Sequence, residues 1–184
     1  MQSSGPVALS LENTPKPEIE VSEASAFPGV HTSFVWQNVA IHVWFGPATM
    51  QSLVEFDRGC KSISGKHPEG ISSVHIMVPG GTSMPTAEAR TEVGRIMREN
   101  AKHTTAAATL IPGNGFWASA LRSMVTAILM LAPRSLAFRM FSDMESLADW
   151  LAPLHSRGTG VVIQANELYR ALRFVHRGAL RAAA

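Results

Sequence analysis

Charge is scarce in this chain. Asp, Glu, Lys and Arg together make up 16% of its 184 residues, below the quarter or so usual for a globular protein. A chain so poor in charge leaves apolar surface exposed unless something covers it, so a protein partner or self-association is expected. The formal net charge of +2 is too small to imply nucleic-acid binding, and none is expected. Cysteine is nearly absent. Cys60 stands alone, which excludes an internal disulfide, and no Cys/His cluster has zinc spacing. No basic segment followed by an apolar one opens the chain, so no signal peptide is evident. A cytoplasmic location is the expectation. The longest mostly apolar run, residues 124–132, covers nine residues, Thr126 among them, before Pro133, whereas a membrane span needs about 20.

Catalytic motifs are lacking too. The seven histidines are scattered. None pairs at i, i+4 on one helix and none stands in a His-Glu-x-x-His arrangement. His42 and His75 fall inside predicted strands and could lie near each other across a sheet, as core-edge histidines with satisfied nitrogens. Cys60 has Arg58 and Lys61 close in sequence, but adjacent residues on a helix do not face one another, so an inert, half-buried thiol is expected. Neither Ser119 nor Ser123 lies in a Gly-x-Ser-x-Gly elbow. No catalytic residue, metal ligand or cofactor is assigned, and the chain is not expected to be an enzyme.

What is present is an order of elements. Residues 1–29 read as a flexible tail, broken by Pro6, Pro15, Pro17 and Pro28 and rich in Ser and Glu. Such a segment buries too little apolar surface to offset the entropy of ordering. A domain follows over 30–156, then a basic helix and tail over 157–184. Residues 34–45, rich in β-branched and aromatic residues, predict one long strand or a tight hairpin turning at Gln37-Asn38. A helix is predicted over 48 to about 62, a strand over 71–78, and a helix over 87 to about 100 capped by Thr86. Ala89, Val93, Ile96 and Met97 form the inward stripe of that second helix. A strand over 105–111, a helix over 116–131, a strand over 135–141 and a helix from a cap at Asp143 to about 155 come next. Residues 161–163 then lead into a last helix, 165 to about 176. Strands alternating with helices predict a single layered α/β domain, its mostly parallel sheet of about four or five strands flanked by helices.

The stretch 107–132 carries the most information. A strand, a Gly113-Asn114-Gly115 turn and a helix follow one another, and α/β folds place their sites at such strand ends. Backbone N–H groups at the helix start, with Asn114 and Arg122, make a candidate anion site, although the turn has neither a phosphate-loop nor a dinucleotide signature. Thr82 and Ser83, between a strand and a helix, are candidate phosphorylation positions. The 116–131 helix is apolar over most of its circumference. Phe116, Trp117, Leu121, Met124 and Ile128 are therefore the candidate interface or pocket residues, with burial under the C-terminal helix as the alternative. The C-terminal segment sets Arg157, Arg170, Arg173, Arg177 and Arg181 against one acid, Glu167, around a basic amphipathic helix. It can rest on an anionic membrane surface or take an acidic partner, but a docked terminal helix with a solvated basic face is the favoured expectation.

The order of elements, with Phe141-Ser-Asp-Met-Glu-Ser-Leu-Ala-Asp-Trp-Leu151, resembles the SpoIIAA-like branch of the STAS and SEC14-like superfamily. Phe141, Asp143, Glu145, Ala148, Trp150 and Leu151 stand in that family's places. Pro85-Thr-Ala-Glu-Ala-Arg90 and Phe116-Trp-Ala-Ser-Ala-Leu-Arg122 look like it as well, so the resemblance covers about residues 32–152. It implies a STAS-like binding or regulatory module. The family's phosphorylatable Asp-Ser-x-Gly signature is absent here, and Thr82 and Ser83 correspond by position only. Three readings follow. The leading one is a regulatory or scaffolding module acting through protein–protein contact, self-associating. The second is a carrier or sensor of a small apolar ligand held between the 116–131 helix and the sheet, near Trp36, Trp44, Phe116 and Trp117, in a closed cavity of several hundred Å3. The third, an enzyme using His75 or His103 with Ser83, requires a shared cleft.

Overall fold

The computed structural model describes residues 19–79, 84–130 and 136–183. The strands are β1 (Ser22–Phe27), β2 (His31–Trp36), β3 (Val39–Trp44), β4 (Ile71–Met77), β5 (Thr104–Leu110) and β6 (Ala137–Phe141). The helices are α1 (Met50–Lys66), α2 (Ala87–Asn100), α3 (Phe116–Leu129), α4 (Met144–Thr159) and α5 (Ala165–Ala183). They build one six-stranded sheet in the order β1-β2-β3-β4-β5-β6. The first three strands form an antiparallel meander, and β3 to β6 run parallel, joined by α1, α2 and α3.

The sheet is larger than the sequence predicts, for two reasons. Residues 34–45 take the second of the two forms expected, a hairpin, which adds a strand to the count. The chain reverses at Gln37-Asn38, where Gln37 takes φ 55°, and a positive φ at the first central residue suits the twist of a two-residue hairpin. Asn38 donates from Nδ2 to the Gly70 carbonyl at 2.8 Å, which ties the hairpin to the start of β4. The second reason is β1, which lies inside the segment expected to be a tail. Its residues Ser-Glu-Ala-Ser-Ala-Phe carry little apolar alternation. Backbone pairing with β2 holds the strand instead, and α1 runs beneath it. There Gly59 presents no side chain, and a Cβ at that position would collide with Ser25.

Thr49 caps α1 through a reciprocal pair with Ser52. Thr86 and Asp143 cap α2 and α4 as the sequence predicts. Gly160, at φ 77°, ends α4 in the left-handed conformation that glycine adopts without a Cβ clash.

The sheet is covered on both faces; every residue of β3 is buried, whereas Ser73, His75 and Met77 of β4 are half-buried. On one face, Val39, Ile41, Val43, Val74, Ile76 and Leu110 pack against α4 and α5. The last helix contributes Leu168, Ala171, Leu172, Val175 and Ala179 to this layer, a stripe at helical spacing. The C-terminal helix is therefore part of the main core. The other face carries α1, α2 and α3. Placing α3 and α5 on opposite faces overturns the expected alternative in which α5 buries the 116–131 helix. Nor is α3 buried all round. Ala118, Leu121, Met124 and Ile128 face inward, whereas Phe116 is 91% and Met130 is 83% exposed.

Candidate functional site

Strand register decides what lies beneath α1, α2 and α3. One row across the sheet is Val35, Ala40, Ser73, Ala107 and Phe138; the next is Ser33, His42, His75, Thr109 and Met140. The middle of the first row is three small side chains on three neighbouring strands. Larger groups border this patch, Trp44 of β3, Phe56 of α1 and Phe138 of β6, and a cavity of about 150 Å3 remains between the sheet and the helices. Val93, Ile96 and Met97 of α2 and Leu121, Met124 and Ile128 of α3 roof it. Among the described residues its lining includes no Asp, Glu, Lys or Arg. A space of this size admits a molecule of one aromatic ring.

The second row supplies the polar groups. Trp44 donates from Nε1 to His75 Nδ1 at 3.2 Å, and His75 Nε2 lies 3.1 Å from Ser73 Oγ. His42 Nδ1 lies 2.8 Å from Ser33 Oγ, and the rings of His42 and His75 face each other with centroids 4.9 Å apart. His31 packs against Trp44 and Phe56, and neither of its ring nitrogens has a hydrogen-bond partner among the described residues. Burial pushes the His75 pKa down to about 4, aided by nearby His31. It pushes His31 to about 4 against the pull of Glu55. Burial also holds His42 well below the usual imidazole value, aided by His75 and His31. All three rings are neutral at pH 7, since removing a cation from water opposes its formation. Cys60 borders the cavity, and burial pushes its thiol up to about 12, which leaves it protonated and unreactive.

No family model matches the chain, and no curated protein matches it. Among solved structures it is similar to an uncharacterized protein of the DUF3478 family from Shewanella loihica PV-4, described as having a SpoIIAA-like fold. The identity is 13%, the match covers 76% of this chain and 99% of that one, and the TM-score is 0.44.

The structure brings some of the sequence-predicted residues together and separates others. Leu121, Met124 and Ile128 line the cavity, and so does Trp44. Phe116 and Trp117 lie outside its lining, and Trp36 belongs to the opposite core, against α4 and α5. Asn114 is exposed in the turn after β5. Arg122 donates from Nη2 to the carbonyls of Ile111 at 3.0 Å and Gly113 at 2.8 Å, so its guanidinium fastens that turn from within. Thr82 and Ser83 lie outside the described residues. His75 faces the cavity, whereas His103 is exposed on the short turn before β5. Among the described residues no three His, Cys, Asp or Glu side chains cluster to hold a metal ion, and no helix is long and apolar enough to cross a membrane.

The floor residues Ala40, Ser73, Ala107 and Thr109 escaped the sequence reading. One signal did point to them. Strands buried on both faces normally read as continuous large aliphatic runs, yet in β4 Ser73 and His75 alternate with Val74 and Ile76. That alternation marks one face of the sheet as unusual.

Proposed function

We propose that this chain is a non-enzymatic binding module that holds a small, largely apolar ligand between the sheet and α1, α2 and α3. The observation that carries the reading is the cavity of about 150 Å3 over Ala40, Ser73 and Ala107. It is smaller than the several hundred Å3 expected, it is partly open rather than closed, and three helices rather than one border it. An apolar cavity with a few convergent polar groups is the form that small-molecule sites take, and the large aliphatic side chains that would fill it are missing from three adjacent strands. Substituting Ala107→Ile fills the floor from β5. Indole or toluene titrated into the protein and followed by amide chemical shifts should perturb β4, β5 and α3 in the wild type. In the variant the affinity should fall at least about tenfold, with thermal stability held or raised, because the added carbons occupy empty space. Equal binding by wild type and variant would remove the reading.

A second reading concerns protein contact. Phe116 and Met130, at the two ends of α3, are the most exposed large apolar side chains among the described residues. Exposed aromatic and methionine side chains are favoured anchors of protein interfaces. We infer that α3 serves as a contact surface in self-association, its inner side set by the cavity and its ends by the partner. Sedimentation velocity over a wide concentration range should show a dimer that Phe116→Asp with Met130→Asp abolishes without loss of helicity. A wild type that stays monomeric throughout excludes self-association through this helix.

A further inference from the structure

The hydrogen bonds on the cavity floor have a direction that chemistry alone settles. An indole N–H only donates, so His75 accepts from Trp44 at Nδ1 over 3.2 Å. A ring that accepts at Nδ1 carries its one proton on Nε2. That Nε2–H is 3.1 Å from Ser73 Oγ, and the serine oxygen must accept it. Ser73 therefore keeps its own hydroxyl proton free for another acceptor, and no described residue supplies one. Its neighbours in the row, Ala40 and Ala107, have no polar side-chain atoms, and Ser73 itself lines the cavity. Trp44 and His75 thus act together as positioning residues that turn Ser73 into a donor aimed at whatever occupies the space.

We propose that Ser73 Oγ–H is the specificity-determining donor of this cavity, and that the ligand is a neutral molecule of about one aromatic ring bearing a single acceptor oxygen, as in an aryl ketone, aldehyde or ether. This rests on the reading of the cavity as a ligand site and deepens it. The size follows from the volume, about 150 Å3, which suits one ring. Neutrality follows from the lining. No Lys or Arg among the described residues borders the cavity, so a carboxylate or phosphate would be buried without a counter-charge. The acceptor follows from the unmatched hydroxyl. A wholly apolar guest would leave that donor unsatisfied, and a matching oxygen would satisfy it.

Acetophenone and α-methylstyrene test this, because they share a shape and differ in C=O against C=CH2. Their affinities are measured by titration calorimetry with the full chain and with Ser73→Ala. The hydration of each free probe is the same against both proteins and each empty protein is the same against both probes, so the change in the affinity ratio isolates the serine. The ratio should shift about 3- to 10-fold against acetophenone in the variant, the equivalent of one neutral hydrogen bond. Benzoate should bind neither protein measurably. An unchanged ratio with both probes bound overturns the donor role and leaves the cavity a ligand site. Binding of neither probe to the wild type overturns the site and the inference together, and benzoate binding more tightly than acetophenone overturns the ligand class. A measurement on the unmodified chain guards against a misfolded variant. Nitrogen-15 NMR of the His75 ring should show the proton on Nε2 and a bare Nδ1, and a proton on Nδ1 overturns the relay.

Discussion

Three histidines are buried in this protein and a fourth, His75, lines its cavity, and each is held neutral by what surrounds it. His31, His75 and His155 are pushed to about 4 from 6.5, in each case chiefly by burial, and His42 is held well below its usual value by burial and its histidine neighbours. In the unfolded chain they titrate near 6.5. Between pH 6.5 and 4 the unfolded state therefore binds more protons than the folded state, and stability rises with pH across that window. The contribution is complete above about pH 7 and is lost as the pH falls toward 4. The expected slope is up to about 1.4 kcal/mol per pH unit for each histidine kept neutral. Urea unfolding at pH 7.5, 6.5, 5.5 and 4.5 measures it, and a midpoint that does not move between 7.5 and 4.5 contradicts the neutral cluster. His155, on the opposite layer, shares the effect through its own burial, and its Nδ1 lies 3.0 Å from Ser72 Oγ.

At the scale of elements, α5 gives the sharpest prediction. Its stripe Leu168, Leu172 and Val175 is fully buried, so Leu172→Ala should cost about 2–5 kcal/mol, the usual range for a leucine truncated in a core. A helix that merely rested on the surface would lose far less, and denaturant unfolding separates the two. Elements with strong local signals were legible in the chain. Thr86 and Asp143 announce α2 and α4 because a short polar side chain before an apolar period can satisfy free backbone N–H groups. The β1 strand was not legible, since its residues are held by ladder bonds and by the missing side chain of Gly59 rather than by any apolar alternation. The hairpin at Gln37 was only half legible because a glutamine there lacks the glycine that normally signals such a turn. The cavity was the least legible feature. Ala40, Ser73 and Ala107 lie on three separate strands and become neighbours only through the register of two parallel pairings, which no local pattern encodes.

On the scale of the whole molecule, the sheet divides two layers that are filled differently. Large aliphatic side chains occupy the α4 and α5 side, whereas the α1, α2 and α3 side keeps unfilled space. Hydrostatic pressure distinguishes such layers, because it favours whichever state eliminates internal voids. High-pressure NMR should show curved amide shifts in β4, β5 and α3 at pressures where α4 and α5 still respond linearly. Occupancy by a bound ring, or the Ala107→Ile side chain, should straighten them. The small-residue row across β3, β4 and β5 thus gives the protein a soft side and a stiff side. It makes the compressibility of the molecule a reporter of whether the cavity is full.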